Sequence, residues 1–123
     1  KRKEDVFIYK NICENKMIEL MSKSQLAIVP SSTISYEACC VKMLILGGYY
    51  VDNQKRINKG LDFNGMIYNA GDFSELKAQD FKQKVLEIIQ DNASNYRKMI
   101  NNQSDMFDGK QKDRFNKLIE SIC

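Results

Sequence analysis

An α/β fold with a parallel sheet is what this sequence predicts, and two observations carry the prediction. Short apolar runs alternate with polar-faced stretches that have helical spacing, and the apolar runs show little internal polar alternation. Strands covered by helices on both faces have this character, whereas half-exposed strands alternate. A βαβαβ alternation of this kind gives a parallel sheet with right-handed crossovers.

Taken in order, strands are expected at Val6–Tyr9, Leu26–Val29, Met43–Leu46 and Met66–Tyr68. Between them, Met17, Leu20 and Met21 repeat at helical spacing, as do Ile34, Ala38 and Val41. From Ser74 onward no strand is expected. Phe81, Val85 and Ile88–Ile89 form one helical stripe, Tyr96 and Ile100 another, and Phe115, Leu118 and Ile119 a third. Asp108-Gly109 reads as the turn between the last two. Asn92, Asn101, Asn102 and Gln103 read as exposed loops or frayed ends.

At 123 residues the chain reads as a single domain, residues 1–123, with an ordinary apolar fraction of 43% and charged fraction of 28%. No apolar run approaches bilayer length and no secretory leader pattern is seen, so a cytoplasmic protein without a membrane span is expected. A net charge of +3 with intermixed signs does not point to nucleic acid. Lys1, Arg2 and Lys3 read as a solvated basic end, and Lys55, Arg56 and Lys59 as a charged helix face in water. The four cysteines, Cys13, Cys39, Cys40 and Cys123, form no metal-binding spacing, and there is no histidine to ligate a metal or act as a base. Reduced thiols, no metal and no cofactor are the expectation.

Ligands of an open parallel sheet lie beyond the carboxyl ends of its strands. Two such segments are rich in polar side chains. Pro30–Glu37 follows the Leu26–Val29 run; Ser31 and Ser32 there suit a helix cap, and free amides at a helix start suit a phosphate. Thr33 and Glu37, four apart, share a helix face, from which a carboxylate could hold vicinal hydroxyls. Gly47–Gln54 follows the Met43–Leu46 run and ends in Asp52, Asn53 and Gln54, a set of donors and acceptors suited to a sugar. Each segment also fits an ordinary helix start with a polar first turn. Their placement on one sheet edge is what favours a shared site.

Leu26-Ala27-Ile28, Ser35-Tyr36-Glu37-Ala38-Cys39, Met43–Leu46 and Asp52-Asn53-Gln54 together resemble one family. It is the C-terminal domain of the UDP-sugar hydrolase of pseudaminic acid biosynthesis and its spore-coat polysaccharide relatives. That family is similar to the GT-B glycosyltransferase that adds N-acetylglucosamine to the peptidoglycan lipid precursor. The resemblance runs from about Val6 to Tyr68 and returns at Asp108-Gly109. It implies a Rossmann-like parallel sheet of about four strands flanked by helices, with a helical C-terminal third. It places Glu37 on a uridine ribose, Ser31, Ser32 and Thr33 near the diphosphate, and Asp52, Asn53 and Gln54 on the hexose side. Relatives carry glycines where Ser31 and Ser32 stand, and a small residue at Pro30.

The resemblance further implies a UDP-sugar substrate and a catalytic histidine on an N-terminal domain, which this chain does not include. All six glycines lie at Gly47 or later, so the opening glycine-rich turn of such a domain is absent. A fragment of a two-domain enzyme, inactive alone and without catalytic residues of its own, is therefore expected. The donor-binding domain of a glycosyltransferase, or a non-catalytic subunit of a split transferase, remains the alternative. In a fragment lacking its first strands, two places are open to the Val6–Tyr9 strand: against Leu26–Val29, or against a second copy of the chain through its open edge.

Overall fold

The computed structural model describes residues 6–91 and 93–122. The basic start at Lys1–Lys3, Asn92 and Cys123 fall outside the described residues. Within them the order is α1 (Glu14–Lys23), β1 (Leu26–Pro30), α2 (Thr33–Val41), β2 (Leu44–Tyr49), α3 (Asp52–Phe63), β3 (Tyr68–Asp72), α4 (Ala78–Gln90), α5 (Ala93–Met106) and α6 (Gln111–Ile122).

The sheet has three parallel strands in the order β1-β2-β3. The α/β class and the flanking helices are as expected; among the described residues the sheet has three strands where about four were expected. The missing strand is Val6–Tyr9, which has no regular structure and lies exposed. Its β-branched and aromatic side chains favour a strand, but propensity alone supplies neither a ladder partner nor a covered face.

Alternation along the strands sends side chains to two different cores. On the first face, Ala27, Val29, Ile45 and Ile67 meet Met17 and Met21 of α1, Ile34, Ala38 and Cys39 of α2, and Ile57 and Leu61 of α3. On the second face, Leu46 and Ala70 meet Phe81, Val85 and Ile88 of α4. β2 is the central strand, and its Ile45 and Leu46 are completely covered. Truncating either to Ala would cost about 2–5 kcal/mol.

β3 begins two residues later than the Met66–Tyr68 run suggests. Met66 and Ile67 are buried in the approach to the strand, whose paired part carries Asn69, Gly71 and Asp72. The register jumps there: Gly47 faces Asn69, but Gly48 faces Gly71, leaving Ala70 as a bulge. Gly71 has φ +73°, which a Cβ would strain.

Asn101, Asn102 and Gln103 are not loop residues, as expected, but lie inside α5. Gln103 is fully buried, and its Nε2 donates to the carbonyls of Met43 (2.8 Å) and Met66 (3.0 Å), the residues leading into β2 and β3. A polar side chain is tolerated in the core because it satisfies two otherwise orphaned carbonyls. The predicted turn at Asp108-Gly109 is present, with Asp108 Oδ1 accepting from Lys110 N at 3.0 Å.

Candidate functional site

The carboxyl ends of β1 and β2 run directly into α2 and α3, and both helices pack on the first face of the sheet. Their N-termini therefore sit on one edge and one face. The N-cap residues are Ser32 and Val51, and neither makes a side-chain cap hydrogen bond. Amide N–H groups at such ends carry a partial positive charge and suit an anion.

The predicted residues divide into inward and outward sets. Ser31 points inward and is fully buried. Its N–H donates to Gly48 O at 2.8 Å, tying the turn to β2, and its Oγ donates to Asn58 Oδ1 at 2.6 Å. Ser32 is half-buried at the N-cap, its carbonyl accepting from Ser35 Oγ at 2.5 Å. Thr33 and Glu37 are exposed one helical turn apart, as their spacing predicts. Among the described residues the Glu37 carboxylate has no hydrogen bond or ion pair.

On α3, Asp52 and Asn53 are exposed at the first turn, and Asp52 likewise has no side-chain partner among the described residues. Asn53 Oδ1 accepts from Gln54 N at 3.0 Å. Gln54 reaches back instead of outward: its Oε1 accepts from Tyr50 N at 3.0 Å, bracing the loop that enters the helix. That leaves its amide nitrogen as the group available to a ligand.

Sequence reasoning missed the residues that hold this edge together. Asn58 Nδ2 donates to Asn69 Oδ1 at 2.7 Å, and that oxygen also accepts from Gly71 N at 2.8 Å. Asn69 Nδ2 donates to Asp62 Oδ2 at 3.1 Å. A polar chain thus runs Ser31–Asn58–Asn69–Asp62, joining the β1 turn, α3 and β3 behind the two helix starts. Gly47 makes room for it, since a Cβ there would stand 3.2 Å from Ser31 Oγ and 3.0 Å from Ile67 Cδ1. The signal was a glycine in an apolar strand, which marks close approach. Its partner Asn58 had no local signature.

Hollows lie elsewhere among the described residues. One of about 410 Å³ opens on the second face beside Ile28, Pro30, Tyr50, Phe73 and Phe81. Gly48 fits under the Phe73 ring there, and Tyr50 stacks at a tilt on the same ring, centroids 5.4 Å apart. Another, of about 610 Å³, lies at the amino ends of the strands, where the Tyr68 hydroxyl donates to Asp91. Burial, with the Asp91 hydrogen bond acting in the same direction, pushes the Tyr68 phenol up to about 12. Glu37 and Asn53 line neither hollow.

Burial likewise pushes the Cys39 thiol up to about 12, with Cys40 adding to the rise, so Cys39 is not a thiolate nucleophile near neutral pH. Among the described residues no group of His, Cys, Asp and Glu could hold a metal ion, and no helix is long and apolar enough to cross a membrane. In comparisons with protein-family models, curated proteins and solved structures, none matches this chain.

Proposed function

We propose that this chain is the UDP-sugar-binding domain of a nucleotide-sugar hydrolase in bacterial surface-polysaccharide or nonulosonic acid synthesis, a GT-B-type C-terminal domain. The observation that carries the reading is the pair of uncapped helix starts, Ser32 of α2 and Val51 of α3, on one edge and one face of the sheet. Outward carboxylates and amides flank both.

In this reading the diphosphate lies against the free amides, with Ser32 and Thr33 offering hydroxyls. Glu37 accepts two hydrogen bonds from the ribose, and Asp52, Asn53 and Gln54 meet the hexose. Ser31 serves from behind, holding the turn through Asn58. The catalytic histidine that the resemblance implies belongs to a partner domain, and this chain binds without catalysing.

Calorimetric titration of the chain with UDP, uridine and inorganic phosphate tests the reading. UDP should bind more tightly than either part, and Glu37→Ala should weaken UDP by about 1–3 kcal/mol without changing phosphate binding. UDP binding unaffected by Glu37→Ala would remove the ribose assignment.

A further inference from the structure

A parallel sheet whose crossovers are helices has two unlike edges. Helix N-termini gather at the carboxyl ends of the strands and helix C-termini at the amino ends. Here the C-cap residues of three helices, Ser24 of α1, Lys42 of α2 and Asp91 of α4, all line the hollow of about 610 Å³ at the amino edge. That volume is in the range of small-ligand sites.

Each helix end carries partial negative charge from carbonyls that lack helical partners. At α1, Lys23 turns away to Glu19, at 2.9 Å. At α2 a cation answers the dipole: Lys42 Nζ donates to the carbonyls of Cys39 (3.3 Å), Cys40 (3.4 Å) and Phe107 (2.9 Å). Those acceptors occupy the ammonium, and among the described residues that line the hollow no other is basic. At α4 the sign is reversed. No basic residue stands in its last turn, and its C-cap is itself an acid, Asp91. A carboxylate there works against the dipole. The Tyr68 hydroxyl and Asn95 Nδ2 donate to it. Both are neutral donors, so these contacts orient the carboxylate and leave its charge in place.

The walls suit an apolar body. Met21, Met43 and Ile88 are buried and close the hollow on one side, while Tyr96, 44% exposed, and Ile89, 66% exposed, stand at its mouth. Tyr68 and Tyr96 add aromatic rings, which attract cations. We propose that this hollow binds a small organic ammonium, its nitrogen beside Asp91 and the ends of α1 and α4, and its apolar body against Met21, Met43 and Ile88. A neutral molecule of the same shape forgoes the charge, and an anion meets Asp91 and the helix ends unfavourably. The site stands apart from the nucleotide-sugar reading, because it lies at the other edge of the sheet.

Amide chemical-shift mapping of the ¹⁵N-labelled chain, titrated with phenethylammonium to millimolar concentration, tests the site. Phenethyl alcohol and phenylpropionate serve as its neutral and anionic counterparts. Saturable shifts should centre on Tyr68, Ile89, Asp91 and Tyr96, with the alcohol at least about tenfold weaker and the anion weaker still. Asp91→Asn keeps the size of the side chain and an acceptor for Tyr68. It should weaken the ammonium about tenfold or more and leave the alcohol unchanged. If circular dichroism shows that Asp91→Asn unfolds, Tyr96→Ala at the mouth takes its place and should weaken the ammonium about threefold. No saturable shift, shifts centred away from this hollow, equal binding of the three compounds, or ammonium binding indifferent to the substitution would each overturn the proposal.

Discussion

Ser31 Oγ donates to Asn58 Oδ1 at 2.6 Å across 27 positions of sequence, inside the core and directly behind the candidate site. Asn58 in turn holds Asn69, so one buried amide links the end of β1 to the bulge of β3. Removing it leaves a buried hydroxyl and a second amide short of partners. Asn58→Ala should therefore lower stability by about 1–3 kcal/mol in urea unfolding. A change below about 0.5 kcal/mol would mean that the chain of hydrogen bonds contributes no more than an ordinary surface position.

Cys39 and Cys40 are neighbours with opposite surroundings: Cys39 is buried, while Cys40 and Cys13 are exposed. In the native chain, iodoacetamide should modify Cys13 and Cys40 and spare Cys39 until denaturant is added. Peptide mass mapping reads the order. Prompt labelling of Cys39 under native conditions would contradict the packing of α2 on the sheet.

The Tyr68 phenol lies above its ordinary value of 10.0, at about 12, chiefly through burial. A folded-state value above the unfolded one favours the protonated form on folding. The contribution is complete below about pH 10 and is lost as pH rises towards 12. Stability should fall across that window, and Tyr68→Phe should make the fall shallower than in the parent chain. The urea midpoint measured from pH 9 to 12 gives both slopes. Equal slopes would remove Tyr68 from the cause, leaving Cys39, which titrates in an overlapping range.

Much of the fold was legible because parallel strands announce themselves. Leu26–Val29 and Met43–Leu46 are uninterrupted apolar runs, and both became strands. Met17 and Met21, and Ile34, Ala38 and Val41, reached the first core as their spacing required. Val6–Tyr9 reads equally well as a strand and is not one, because a strand needs a neighbour and local propensity does not provide it. β3 was found early and short, since Asn69, Gly71 and Asp72 look like loop residues until the bulge and the Asn58 hydrogen bond explain them.

At the candidate site, the exposure of Thr33, Glu37, Asp52 and Asn53 followed from helix spacing and from the edge on which the loops lie. Ser31 did not follow. A serine before a helix looks like a cap or a ligand group, and what turns it inward is Asn58, far away in sequence. Gln103 shows the same limit: among polar neighbours it reads as exposed, yet its amide lies in the core, donating to the carbonyls of Met43 and Met66.

Amide chemical-shift mapping of the ¹⁵N-labelled chain during titration with UDP tests the nucleotide-sugar reading most directly. The largest shifts should fall on Ser32, Thr33, Asp52 and Asn53, with Glu37 beside them. Shifts confined to the hollow around Tyr68 and Asp91, or no shift at saturating UDP, would contradict it.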